Sequence, residues 1–156
     1  MSVSNSLTAN IASWEARANG INWAWKNGAS VISNSWGSSV ATQKITEAID
    51  SAVIRGRNGL GSVVVKSSGN NSSSTTVTFP GAHPSVITVG SINRSGQRAS
   101  TSNHGNNLNV VASGVDIWST NLNGSYSTGG GTSYAAPHVS GIAALVLSVN
   151  PMLILL

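Results

Sequence analysis

Apolar positions along the chain change their period several times. Between Leu7 and Asn27, Ile11, Trp14, Ala18, Ile21 and Trp25 recur at spacings of three and four, the signature of one apolar helix face. Gly20 interrupts this stripe at about 1 kcal/mol relative to alanine, and Gly28 stands where a helix C-cap is expected. Ala29 to Ser33, with Val31-Ile32 inside it, reads as a short strand. A second helix follows from Thr42 to Gly56, with Ile45, Ile49, Ala52 and Val53 as its stripe, and Gly59-Leu60-Gly61 closes the connection. Ser62 to Lys66 then carries the continuous β-branched run Val63-Val64-Val65, which is how a strand covered on both faces looks. Pro80 and Pro84 punctuate a loop, and Val86 to Ile92 and Leu108 to Ala112 are two further strands.

Strands of this kind alternating with helices predict an α/β fold, a parallel sheet with crossover helices. The last third differs. Ile117 to Thr120 and Ser125 to Thr128 flank Asn123-Gly124, a hairpin signal. After Gly129-Gly130-Gly131 comes a run from Thr132 to Val149 that is apolar or small on every side. Such a run predicts a buried central helix, and Pro151 forbids its continuation. There is no internal repeat.

Composition narrows the function classes. The 156 residues suit one domain or part of one, and 40 % hydrophobic residues argue against disorder. Only 8 % are charged, against about a quarter in an ordinary soluble domain, so Ser, Asn, Thr and Gly supply the polarity. The net charge of +4 comes from scattered Lys and Arg residues, of which only Arg55 and Arg57 are close together. A nucleic-acid partner would call for clustered cations, so none is expected. The absence of Cys removes disulfides, thiolate metal sites and Cys nucleophiles. The segment Met1 to Asn10 lacks the basic and apolar regions of a signal peptide. The apolar runs look too short to span a bilayer, so no membrane partner is expected.

The candidate chemistry lies in Gly131-Thr132-Ser133-Tyr134-Ala135-Ala136-Pro137-His138-Val139-Ser140-Gly141. A serine follows a glycine-rich loop and opens a helix, where free backbone N–H groups and the helix dipole favour negative charge. That suits acyl transfer, although a serine at this position is more often only a cap. The whole string closely resembles the nucleophile segment of the subtilisin-like serine proteases, the peptidase S8 or subtilase family. Val31-Ile32-Ser33-Asn34-Ser35-Trp36-Gly37 resembles that family's strand and substrate-binding segment, and Val63-Val64-Val65-Lys66-Ser67-Ser68-Gly69-Asn70 its oxyanion-hole strand. Phe79 to Gly90 and Gln97-Arg98-Ala99-Ser100 follow in the family's order. The resemblance is strongest over residues 20–151 and covers about the C-terminal half of the family's catalytic domain.

The resemblance implies a three-layer, doubly wound parallel sheet, here cut to its C-terminal strands and the nucleophile helix. It implies a serine endopeptidase acting through an acyl-enzyme on Ser133, with Asn70 as side-chain donor of the oxyanion hole. Ser35, Trp36 and Gly37 would bind an extended peptide or protein substrate as an added strand. Gly37 and Gly69 would let the backbone approach closely. For Trp36 a simple packing role stands beside the substrate-binding one. His138 lies five residues from Ser133, not on a shared helix face, and the resemblance makes it structural. His83 and His104 read as solvated loop residues. No cofactor is implied for catalysis. Structural calcium is common in the family, but no carboxylate cage is recognisable among Glu15, Glu47, Asp50 and Asp116, and no metal residue is assigned.

A nucleophilic serine needs a base and an orienting carboxylate, which in this family precede it as Asp, then His. The family's Asp-Ser/Thr-Gly and His-Gly-Thr motifs do not occur in these residues. The expectation is therefore a partial catalytic domain over residues 1–156, shortened at both ends. Met1-Ser2-Val3 resembles the tail of a cut strand, and Met152 to Leu156 stands in place of an amphipathic helix. Such a chain would need the N-terminal half of the same domain as partner and would be inactive alone. Val31-Ile32 would become a sheet edge, an aggregation hazard. Family and composition imply a secreted or cell-envelope protein. A non-catalytic remnant that binds extended peptides is the alternative. An α/β-hydrolase is disfavoured because Ala135 stands where Gly-x-Ser-x-Gly needs its last glycine.

Overall fold

The computed structural model of the chain describes residues 14–73 and 77–154. Helix α1 (Trp14–Lys26) leads into β1 (Val31–Asn34), α2 (Gln43–Gly59) and β2 (Val63–Ser67). Strands β3 (Val86–Ile92) and β4 (Val110–Ser113) complete a sheet of order β1-β2-β3-β4, with every pairing parallel. Val63 pairs with Val31 and Val64 with Val86, so β2 is central and β1 an edge. A hairpin of β5 (Ile117–Thr120) and β6 (Tyr126–Gly129) then delivers the chain to α3 (Thr132–Val149).

Alternation along the strands sends residues to two different layers. Ile32, Val64 and Val86 join Ala18, Ile21 and Ala24 of α1 and Ile45, Ala48, Ile49 and Ala52 of α2. Val63, Val65 and Val89 pack on the opposite face against Ala135 and Ala136 of α3. Helices thus cover both faces of a parallel sheet, the three-layer α/β arrangement expected.

Local signals explain most boundaries. Gly28, at φ 85°, donates to the Trp25 carbonyl while Ala29 N–H reaches Ala24, so α1 ends in a Schellman motif. The part of that helix predicted before Trp14 lies outside the described residues, as do Met1-Ser2-Val3 and the last two leucines. In α2 the backbone leaves helical geometry at Gly56, and Arg57 and Asn58 adopt left-handed conformations. The predicted end at Gly56 is therefore where regular helix stops. Asn123 and Gly124 both take positive φ, as a tight hairpin of right-handed twist requires.

Three expectations need correction. Helix α3 has its predicted limits but is not buried on every side: only Thr132, Ala135 and Ala136 are fully covered, while Leu145 is 67 % and Val149 87 % exposed. One side packs on the sheet and the other meets no described element. Its 18 residues, at mean hydropathy 1.2, are also long and apolar enough by length and composition to cross a membrane, contrary to the view that every apolar run is too short. Finally, His83 is not a solvated loop residue. Its side chain is 8 % exposed and its Nε2 lies 3.2 Å from Asp50 Oδ1 of α2. His104 is likewise half-covered, with a buried Nδ1 that has no hydrogen-bond partner.

Exposed Ile142, Leu145, Val146 and Val149 form an apolar strip along α3 of the kind that drives association. The chain is expected to self-associate at micromolar concentration. Sedimentation velocity checks this, and a single monomer boundary across a concentration series would refute it.

Lys66, near the end of β2, is 1 % exposed. Its ammonium donates to the Ser67 carbonyl, to Ser67 Oγ at 3.3 Å and to Thr78 Oγ1 at 3.2 Å. Burial pushes its pKa from 10.5 down to about 8. Between those two values the unfolded chain holds a proton that the folded chain has released, so stability rises with pH across that window. The gain is on the order of 3 kcal/mol. Urea unfolding followed by tryptophan fluorescence at sub-micromolar concentration should show this rise in the native chain. Lys66→Met should flatten it; an equal rise in the variant would refute the assignment.

Candidate active site

The end of β2, the segment after β1 and the first turn of α3 converge on one point. Asn70 Oδ1 accepts from Thr132 N–H at 2.8 Å and from Thr132 Oγ1 at 3.0 Å. Thr132 Oγ1 in turn accepts from Gly69 N–H at 3.2 Å. Because a backbone N–H can only donate, the Thr132 contact fixes which end of the Asn70 amide is oxygen. The amide NH₂ is thereby held as the end not tied to Thr132.

The N-terminal turn of α3 accounts for its orphan donors in a specific way. Thr132 N–H goes to Asn70, and the N–H groups of Tyr134 and Ala135 go to the Gly131 carbonyl. Ser133 N–H remains for a ligand. Ser133 itself is half-buried, and its Oγ lies 3.5 Å from the Ser35 carbonyl, while Ser35 Oγ donates to the Ser133 carbonyl at 3.3 Å. The Asn70 amide is thus joined to Thr132, the residue before Ser133, at the positive end of a helix dipole. This arrangement suits a tetrahedral oxyanion.

Of the other residues singled out in the sequence, Ser35 meets Ser133, whereas Trp36 packs on the α1/α2 side of the sheet. Ser35, Trp36 and Gly37 follow β1. Trp36 is half-buried against the α1/α2 cluster, and the Arg17 guanidinium lies 5.0 Å from its ring centroid. Gly69, at φ 105°, opens the loop that carries Asn70, and a Cβ there would come within 2.6 Å of Asn103 Nδ2. Both the conformation and the contact demand glycine. His138 is not brought to Ser133: its Nδ1 lies 2.8 Å from the Tyr134 carbonyl, one turn back along the helix. Among the described residues, no histidine or carboxylate contacts Ser133 Oγ.

Two supporting residues escaped sequence reasoning. Thr132 reads there only as part of the motif, yet it is the partner of both Asn70 and Gly69. Asn103 is 1 % exposed and templates the Asn70 loop: its Oδ1 accepts from Asn71 and Ser73 N–H, and its Nδ2 donates to the Ser68 carbonyl. Neither advertises itself in sequence, because their partners are distant along the chain.

The carboxylates are dispersed or already engaged. Glu15 pairs with Lys44 at 2.8 Å, Glu47 accepts from Gln43, and Asp50 is engaged by His83. No group of three His, Cys, Asp or Glu side chains converges among the described residues.

The model of the subtilase family, peptidase S8, matches residues 4–154. The chain belongs to the subtilase family. Subtilisin E of Bacillus subtilis (strain 168) is 44 % identical over 136 residues, which span 85 % of this chain and 34 % of that protein. A subtilisin of Bacillus pumilus is 43 % identical, over 85 % of this chain and 48 % of its own length. Among solved structures, the self-cleaved protease domain of PatA superposes with TM-score 0.80 at 30 % identity, covering 90 % of this chain and 53 % of that one. The prenylagaramide maturation protease PagA gives 0.79 at 28 % identity, over 95 % of this chain and 53 % of its own. This subtilase chain thus spans between about a third and a half of the proteins it resembles.

The Asn70–Thr132 joint makes a stability prediction. Asn70→Ala removes the acceptor of two hydrogen bonds and strands a Thr132 N–H, which should destabilise the chain by about 1–2 kcal/mol. Asn70→Asp keeps the acceptor at a helix N-terminus and should lose less than half of that. Urea midpoints of the two variants check the order, and equal losses would refute it.

Proposed function

We propose that the chain supplies the nucleophile and oxyanion hole of a serine-type endopeptidase, with the general base and its orienting carboxylate coming from outside these residues. The observation that supports this reading is the tie between Asn70 and Thr132, which holds the Asn70 amide at the residue before Ser133 in the first turn of α3. In this mechanism Ser133 Oγ attacks the substrate carbonyl carbon and gives up its proton to the base. The Asn70 NH₂ and the Ser133 N–H donate to the oxygen that becomes negative. Collapse of that intermediate expels the amine and leaves an acyl-enzyme on Ser133, which water then hydrolyses.

Substrate in this reading is an extended peptide or protein, laid as a strand along Ser35, Trp36 and Gly37 and past Gly69. The chemistry needs no cofactor. Family kinship supports a protein that works outside the cell or in the cell envelope. It also supports the N-terminal half of the same domain as the partner that completes the site. The open edge of β1 and the uncovered side of α3 are consistent with such a half. Alone, the chain is expected to be inactive: loss of the histidine lowers turnover by about 2 × 10⁶, a magnitude found for a subtilisin. A non-catalytic, peptide-binding role is the second reading, favoured by the Ser133 hydroxyl having, among the described residues, a backbone carbonyl as its hydrogen-bond neighbour.

A fusion separates the two. The part of subtilisin E that precedes the matched segment, joined to this chain, should hydrolyse a peptide substrate, and Ser133→Ala should abolish that activity. Asn70→Leu should lower kcat by about 10²–10³, again the magnitude found for the corresponding asparagine of a subtilisin. A folded fusion that binds peptides without cleaving them would replace the catalytic reading with the second one.

A further inference from the structure

Four asparagines precede a glycine: Asn19, Asn27, Asn58 and Asn123. In such a pair the backbone nitrogen of the glycine can attack the side-chain carbonyl carbon of the asparagine, because glycine has no side chain to obstruct ring closure. The step needs the asparagine backbone to rotate away from its folded dihedrals, so each pair reacts only as often as its segment opens. In sequence the four pairs are equivalent. In the fold they are not.

Asn19 lies inside α1, where the helical ladder holds its backbone. Asn27 follows the same helix. Its Nδ2 donates to the Trp23 carbonyl at 2.8 Å, and the Gly28 N–H donates to the Trp25 carbonyl at 3.1 Å, so both reacting groups are engaged. Asn58 sits in the corner between α2 and β2. Gly61 N–H to Gly56 and Leu60 N–H to Arg57 close that corner, and the Arg57 side chain ties it to the carbonyls of Gly61 and Pro151. Asn123 stands at the tip of the β5–β6 hairpin in a left-handed conformation, φ 59°. Its side chain is exposed, and among the described residues nothing hydrogen-bonds to it. β5 pairs with β6 alone, and no residue of either strand is fully buried. A two-stranded hairpin without cover is marginally stable, so this turn opens most readily of the four.

We infer that Asn123 is a site of spontaneous deamidation in the folded chain, selected over the other three pairs by the weak hold on its hairpin. Hydroxide removes the Gly124 amide proton, the nitrogen bonds to Asn123 Cγ, and the Cγ–Nδ2 bond breaks to release ammonia. Water then opens the cyclic imide. Opening at one carbonyl leaves an ordinary aspartate; opening at the other leaves isoaspartate, whose main chain runs through the side chain and is one atom longer. The sum is one water taken up and one ammonia released, with nothing oxidised or reduced. Either product lowers the net charge from +4 by one unit. Isoaspartate also lengthens a loop on which the strand register depends. The change stays at the hairpin, because Gly131 N–H is anchored to Gly114 and Thr132 N–H to Asn70, independently of the tip.

The test keeps the full chain dilute in mildly alkaline buffer, with heavy-oxygen water marking each hydrolysed imide, and maps the four pairs by acidic digestion and mass spectrometry. A parallel incubation in concentrated urea gives the rate of each pair without the fold. In urea all four should convert at similar rates. In the folded chain the Asn123 peptide should convert at least about tenfold faster than those of Asn19, Asn27 and Asn58, a spread set by local opening. Ion exchange provides a second readout: Asn123→Ser should remove the acidic species that accumulates, whereas Asn58→Ser should leave it. Conversion of any other pair as fast as Asn123 in the folded chain overturns the inference. So does an Asn123 peptide that stays unconverted, or an acidic species that survives Asn123→Ser.

Discussion

The joint between Asn70 and Thr132 is the interaction on which the site depends. It ties the carboxyl end of the central strand to the first turn of the helix that carries Ser133, two elements far apart in sequence. One amide oxygen takes both the Thr132 N–H and its hydroxyl. That single act orients the Asn70 NH₂, removes one orphan donor from the helix end, and leaves the Ser133 N–H uncommitted. Oxyanion stabilisation depends on donors that are fixed before charge develops. In the proposed oxyanion hole that fixation would come from one side chain, held in turn by Asn103 beneath its loop. The loop's geometry is thus set by buried polar contacts and not by apolar packing.

Cover on the two faces of the sheet is unequal. On one side α1 and α2 enclose Ile45, Ile49 and Val64 completely. On the other α3 seals Val65 and Val89 with Ala135 and Ala136 but leaves Leu145 and Val149 facing outward. Small residues at the start of α3 allow the helix to lie close to the sheet where Ser133 must meet Asn70. The bulky residues come later, on faces that point away. An all-round apolar helix is usually interior, and here its outer side meets no described element.

Periodicity made the element order legible, and β3 and α3 have the limits that their apolar runs predict. It could not reveal what covers each face, which is why α3 reads as buried when only part of it is. The segment around Ser133 was legible as chemistry because the family's order of motifs recurs across most of the chain. The Asn70–Thr132 joint, the Asn103 template and the His83–Asp50 contact were not, since each joins residues that only the fold brings together. Lys66 was hidden for a related reason. In a run such as Val63-Val64-Val65-Lys66, a lysine reads as the polar end of a strand, and only the structure puts its ammonium behind Thr78.

Burying that ammonium is a cost that the hydrogen bonds around it offset only in part. In the free chain the cation is held below its ordinary pKa, so the fold bears a charge that its surroundings disfavour. An apolar residue would remove that burden, as replacement of buried charges often does.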